Sequence, residues 1–259
     1  MGAVPTDVWI FLAGLVAGSV NAAAGGGTLL AFPVLIGVAG LSPLAANTTC
    51  TVGLLPGIIA STGGYWRELK AGLRRDARRQ LVPSAVGGLL GAWLLLSLGG
   101  RVFARVVPWL LVASAALIAT QPLVNRWLAR HRPEHGYPAA TILVPFGVSV
   151  YGGYFGAAQG IPFLAAMGLL LPRPIGELNA LRILNAMINN SVAALTFVAL
   201  EALHPTGALD FHAALSLGLG SVVGGWAGVR VARRLPATGL RGFAAGVGVA
   251  IGLYLAFRR

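Results

Sequence analysis

The chain has 259 residues, 56% hydrophobic and 10% charged, with a mean hydropathy of +0.79, whereas soluble domains carry roughly 25% charged residues. The apolar surplus comes in long runs bounded by short polar or basic stretches, which excludes a water-soluble globule and describes a polytopic membrane protein. The formal charge of +12, from 19 Lys and Arg against 7 Asp and Glu, gathers in the gaps between those runs, as topogenic charge at lipid headgroups and not as a nucleic-acid footprint.

In chain order, the apolar stretch 8–15 followed by Ala22-Ala23-Ala24 has the outline of a signal peptide, but its flank carries Asp7 and no Lys or Arg, so it reads as structure. Met1-Gly2-Ala3-Val4-Pro5-Thr6 fits a loose myristoylation pattern; a chain with many spans gains little from a marginal anchor, and the match is taken as chance. Crossing hydrocarbon about 30 Å thick takes about 20 helical residues. Full-length candidates are 44–65, 81–98, 106–124, 175–200, 211–229 and 239–257. Two regions depart from that template. Segment 8–39 is an apolar limb, then Gly25-Gly26-Gly27, then a second limb of about 12 residues, too short to cross at 1.5 Å per residue. Segment 139–171 repeats the shape, broken around Gly156, Gly160 and Pro162. Cys50 stands alone in an apolar run, so neither a disulfide framework nor a thiolate metal cage is available.

Sliding the sequence on itself by 133 residues aligns Gly14 with Gly147, Ala24 with Ala157, Gly27 with Gly160, Gly91 with Gly224, Trp93 with Trp226 and Arg101 with Arg234. The broken segments fall on each other, as do the spans that follow. The expected fold is an all-α polytopic membrane protein of two repeats, about 5–127 and 138–258, with 128–137 as a basic cytoplasmic linker.

Charge sets the orientation, because cytoplasmic loops hold the Lys/Arg excess. Arg67, Lys70, Arg74, Arg75, Arg78 and Arg79 crowd one loop, while the matching loop 201–210 has no Lys or Arg. One loop later, Arg101 and Arg105 stand against Arg230, Arg233 and Arg234, and Arg126, Arg130 and Arg132 mark the linker as cytoplasmic. The repeats are therefore inverted in topology. Each must cross an odd number of times, so each is expected to be a broken, re-entrant helical segment followed by three transmembrane helices, with both termini outside the cytoplasm.

Inverted repeats with interrupted helices are the architecture of secondary transporters. A break frees backbone N–H groups, and half-helices starting after it bring partial positive charge to one point, so a small anion is held without many buried cations. Gly25, Gly26 and Gly27 before Thr28, and Ala157 to Gly160 before Ile161, are such tips. Polar side chains inside the spans are Asn21, Asn47, Thr48, Thr49, Asn179, Arg182, Asn185, Asn189 and Asn190, with Tyr151, Tyr154 and Gln159 on the second broken segment. Asn179, Arg182, Asn185 and Asn189 follow a 3, 3, 4 spacing along one helical face. A polar stripe is costly against lipid, so this face turns inward. Each Asn also fits as interhelical hydrogen-bond glue, and Arg182 as a snorkelling cation. The expected binding set is Asn21, Gly25, Gly26, Gly27, Thr28, Asn47, Thr48, Tyr154, Gln159, Gly160, Asn179, Arg182 and Asn185, with Arg182 reading substrate charge.

Asn21-Ala22-Ala23-Ala24-Gly25-Gly26-Gly27 with Pro33 and Pro43, the stretch from Thr48 to Pro56-Gly57, Tyr151-Gly152-Gly153-Tyr154-Phe155-Gly156 and Asn179-Ala180-Leu181-Arg182 together resemble the sulfite exporter TauE/SafE family of membrane permeases. The resemblance covers nearly the whole chain and implies transport of sulfite, organosulfonates or related small organic anions across a bacterial inner membrane. Arg182 stands where the family more often has Lys, and Ala158 where a Gly is common. A bidentate guanidinium suits a sulfonate or carboxylate differently from a point-charge ammonium.

The competing readings are a passive anion channel, which would use the same residues, and an intramembrane enzyme. Gly-x-Ser-x-Gly, His-Glu-x-x-His and Walker A patterns are absent, and no His lies within a span. No cofactor or metal is expected. Partners are a small anionic substrate, membrane lipid and a coupling ion, H+ or Na+. Small-xxx-small pairs Gly14/Gly18, Gly87/Gly91, Gly220/Gly224 and Gly242/Gly246 serve contacts within the chain or a homodimer.

Overall fold

A computed structural model describes residues 5–232 apart from 24, 67, 68, 70–72 and 132, together with 242, 246, 248–250, 252, 253, 255 and 257. Ala24, Arg67, Lys70, Arg132, Arg233, Arg234, the first four residues and much of the expected span 239–257 lie outside that description.

All regular structure among the described residues is helical. The helices are α1 (Thr6–Ala23), α2 (Thr28–Gly37), α3 (Pro43–Gly64), α4 (Arg74–Arg130), α5 (Ala140–Tyr154), α6 (Gly160–Leu170), α7 (Ile175–Leu203) and α8 (Phe211–Ala232). Length and apolar composition qualify α3, α4 and α7 to cross a membrane. The 10 residues of α2 and the 11 of α6 rise only about 15–17 Å, half the hydrocarbon thickness. Local chemistry sets the boundaries. Ser42 caps α3 by accepting from the Ala45 amide at 3.2 Å, with Pro43 in the first turn where its missing N–H costs nothing. Gly25 between α1 and α2 and Gly156 between α5 and α6 both take φ +77°, the left-handed conformation that a Cβ resists.

The 57 residues of α4 would rise about 85 Å if straight. They do not run straight, because Gly99 has φ 73° and ψ 169°. Before it, Gly87 abuts Phe146 and Gly91 abuts Val150, in the same sense as α5. Beyond it, Phe103 packs on Tyr154 and Ser114 bonds Tyr151 at 2.9 Å, in the opposite sense. The two arms are therefore antiparallel. This corrects the expected Arg101–Arg105 loop: the reversal is confined to Gly99, and both arginines sit exposed in the first turns of the second arm.

Glycines allow the close contacts. A Cβ on Gly14 would strike Leu217 and one on Gly18 would strike Ser221, while Gly220 and Gly224 meet the backbone of Phe11 and Leu15, so α1 and α8 touch along their main chains. Three of the four small-xxx-small pairs are thus consumed inside the chain. Gly242 and Gly246 have no described atom within 4 Å of an added Cβ.

Contacts also fix the two ends of the bundle. At one end Asp7 pairs with His212 at 2.9 Å, and the Asp210 amide donates to Thr49 at 3.1 Å. At the other, the Tyr137 amide donates to the Leu170 carbonyl at 2.9 Å, joining the start of the α5–α6 hairpin to its finish. Arg173 beside it pairs with Asp76 at 2.9 Å.

Candidate functional site

The breaks in α1–α2 and α5–α6 meet inside the bundle. At the first, the Gly25 amide reaches back to Val20 and Asn21 carbonyls at 3.1 and 3.2 Å, closing α1. The Asn21 Oδ1 then accepts from the Gly27 amide at 2.8 Å, opening α2. At the second, the Tyr151 hydroxyl donates to the Ala157 carbonyl at 2.6 Å, and Ser114 Oγ donates to the same oxygen at 3.1 Å. Ala158 next to it has φ 58° with no exposure.

Arg182 lies between the tips. It is 2% exposed, which ends the snorkelling alternative. Its Nε donates to Asn179 Oδ1 at 2.6 Å, and Asn179 Nδ2 donates to the Tyr65 hydroxyl at 3.0 Å. Its Nη2 reaches the Ala22 carbonyl at 3.5 Å, at the partially negative end of α1. Nη1 lies against both glycine tips: an added Cβ on Gly160 would stand 2.8 Å from it, and one on Gly25 would collide with it. Only residues without a side chain let both tips approach the guanidinium this closely.

Beside Arg182 is a cavity of about 30 Å³, room for about two waters where one needs about 10–15 Å³. Of the expected residues, Asn21, Gly25, Thr28, Gln159, Gly160 and Arg182 line it, and no described lining residue is a carboxylate. Gln159 Oε1 accepts from Asn189 at 2.7 Å, which leaves the amide Nε2 as the polar group it can offer the cavity. Both this amide and the guanidinium are donors.

Other expected residues serve elsewhere. Gly26 backs onto Ile118 and Gly27 onto Ala17. Asn47 Nδ2 donates to the Tyr154 carbonyl at 3.0 Å, while the Tyr154 ring packs on Phe103. Thr48 Oγ1 donates to the Ala208 carbonyl, tying α3 to the following loop. Asn179 acts on Arg182 without lining the cavity. Asn185 bonds Ser84 at 2.8 Å and Ser149 at 2.9 Å, holding α4, α5 and α7 together. The 3, 3, 4 stripe therefore divides: its first two members face the tips and Asn185 is interhelical glue. Sequence reasoning missed Cys50, Leu54, Ile58 and Ser61 of α3 and Gly156, Ile183 and Ala186 around the same space. The 4, 4, 3 spacing of the α3 group is a readable helical face, hidden because its members are mostly apolar like everything around them. Among the described residues no His, Cys, Asp or Glu cluster could hold a metal ion.

Short helix pairs ending at an internal polar cavity, in a chain of membrane-length helices, define a multi-pass membrane transporter, and the relatives carry the same description. The chain is 29% identical over 172 residues, 66% of its length, to a probable membrane transporter protein, ORF9, of Sinorhizobium sp. It is 29% identical over 182 residues, 70% of its length, to the probable membrane transporter protein YfcA of Escherichia coli K12. The aligned parts cover 64% and 66% of those proteins, so the chain spans slightly less than two thirds of the curated relatives it matches. A profile of the sulfite exporter TauE/SafE family matches residues 10–255, and the chain belongs to that family. No solved structure matches the chain.

Proposed function

We propose that the protein is a secondary transporter, a permease that moves small anions such as sulfite, organosulfonates or small carboxylates across the bacterial inner membrane by alternating access. The observation that carries this reading is the buried Arg182 guanidinium, held by Asn179 between two glycine tips and beside a cavity with no described carboxylate in its lining. The α2 and α6 helices both begin at that cavity, with Thr28 and Gly160 in its wall, so two helix N-termini add their partial positive charge to the guanidinium.

Two inverted repeats, about 5–127 and 138–258 around a basic linker, supply the moving halves. Supporting this, Cys50, Leu54 and Ile58 of α3 line the cavity, as do Arg182, Ala186 and Asn190 of α7, each 132 residues further on. Gly18 packs on Ser221 and Gly225, and Gly153 packs on Gly88 and Ala92, the pairs that correspond by the 133-residue shift. Trp93 and Trp226 are 58% and 59% exposed, in keeping with interfacial anchors at opposite faces. The termini then lie outside the cytoplasm, and a coupling ion, H+ or Na+, drives accumulation.

Proteoliposomes test this reading. Sulfite, a sulfonate and a small carboxylate are each offered at fixed outside concentration under an ion gradient. Accumulation above equilibrium is expected for at least one, and its loss is expected in Arg182→Ala protein that still inserts and elutes as the parent does. Undiminished accumulation in that variant overturns the proposal, and flux that only equilibrates identifies a passive channel.

A further inference from the structure

A second, larger recess lies away from the cavity, where α3 gives way to α4. It has a volume of about 610 Å³ and is walled by Trp66, Leu69, Arg74, Arg78, Leu81 and Leu184, within the about 300–1,000 Å³ typical of ligand pockets. Its wall is chemically divided. Arg74 and Arg78 are exposed and, four residues apart on one helix, stand one above the other. Trp66 at 54% and Leu81 at 43% exposure form an apolar flank, over a floor of buried Leu69 and Leu184. Asp76, between the two arginines in sequence, does not neutralise them, because its carboxylate is turned to Arg173 at 2.9 Å. Among the described residues neither Arg74 nor Arg78 forms an ion pair.

We infer that this recess is a binding site for an anionic phospholipid, with the phosphate on the Arg74 and Arg78 guanidinium groups and an acyl chain along Trp66, Leu81 and Leu184. The charge pair calls for an anion of phosphate type, and the exposed apolar flank continuing from it calls for a hydrocarbon chain on the same molecule. A lone inorganic anion would leave that flank against water. The location agrees: this is the basic end of the bundle, and basic recesses between helices at the cytoplasmic leaflet suit acidic headgroups. The inference does not depend on what the central cavity carries.

The test is quenching of tryptophan fluorescence in the full chain, reconstituted in phosphatidylcholine vesicles containing a small fraction of brominated phosphatidylglycerol. The Trp66 signal is taken as the difference from Trp66→Phe protein. Preferential quenching by the anionic lipid over brominated phosphatidylcholine is expected. Removing Arg74 and Arg78 as Gln should lower that preference about five-fold per charge, at about 1 kcal/mol each. Removing Arg126 and Arg130, an equal charge on the same side, should leave it unchanged. Equal preference in the Arg74→Gln/Arg78→Gln protein, or an equal fall in the control, overturns the site. Displacement by millimolar inorganic phosphate overturns the lipid as occupant. Should the double variant fail to fold, Ala77→Phe fills the recess with both charges intact, and quenching that persists there overturns the inference.

Discussion

At the scale of single residues, the organising contact is the one between Asn179 and Arg182. An arginine has several rotatable bonds and about 2 kcal/mol of rotamer entropy, so a guanidinium that is to meet cargo in one orientation must be held. The Asn179 carbonyl holds Nε at 2.6 Å and is itself steadied by Tyr65 at 3.0 Å. Hydrogen bonds to charged groups contribute about 1.5–3 kcal/mol. Asn179→Ala should therefore raise the KM for anion uptake about ten-fold or more with less effect on kcat, and Tyr65→Phe should do so more weakly. Concentration-dependent uptake in proteoliposomes checks both, and an unchanged KM in Asn179→Ala argues against positioning. The importance of Arg182 was legible in the sequence, since a full charge on an inward face needs a purpose. The division of labour among its Asn neighbours was not, because equal spacing on one helix does not say which partner each turn of that helix meets.

At the scale of elements, the breaks are what distinguish this chain from an ordinary helical bundle. Gly25 and Gly156 adopt the left-handed conformation freely, but Ala158 adopts it at φ 58° with a side chain. That conformation costs a residue other than Gly about 1–2 kcal/mol. Against it stand a buried methyl, about 0.8 kcal/mol, and the about 0.5–1 kcal/mol of chain entropy that Gly forfeits. The terms nearly cancel, so Ala158→Gly should change stability by less than about 1 kcal/mol. Ala158→Val, whose branched Cβ suits neither the conformation nor the filled space, should cost more than about 2 kcal/mol. Thermal unfolding in detergent distinguishes these, and a harmless Val would mean that the second tip is not held in this shape. Both broken segments were readable, because a Gly-rich interruption followed by too few apolar residues cannot be a span. The Gly99 reversal was not: the Arg101 to Arg105 stretch between two apolar runs looks like a loop, and only the backbone shows helix resuming within one residue of the turn.

At the scale of the whole molecule, the loop 204–210 belongs to the end of the bundle where α1 and α3 begin. Glu201 gathers it, accepting from the amides of Thr206, Gly207 and Ala208 and from the Thr206 hydroxyl at 2.7 to 3.2 Å. The proposed topology puts this loop outside the cytoplasm and Arg75 inside it. In a Cys50→Ala background, His204→Cys should react with an impermeant thiol reagent added outside and Arg75→Cys only after the membrane is opened. The reverse pattern would invert the orientation, and equal labelling of both from one side would remove the opposed repeats. The sequence carried this much because loop charge and a displaced self-match are whole-chain signals. It could not reveal the size of the central space, which depends on how closely glycine backbones approach.

That size has its own consequence. A chamber with room for about two waters cannot admit an ion still wearing its hydration shell, so entry entails stripping the guest, and the guanidinium and amide donors must stand in for the solvent it leaves behind. Discrimination then follows how readily each anion surrenders its water, and not its charge alone.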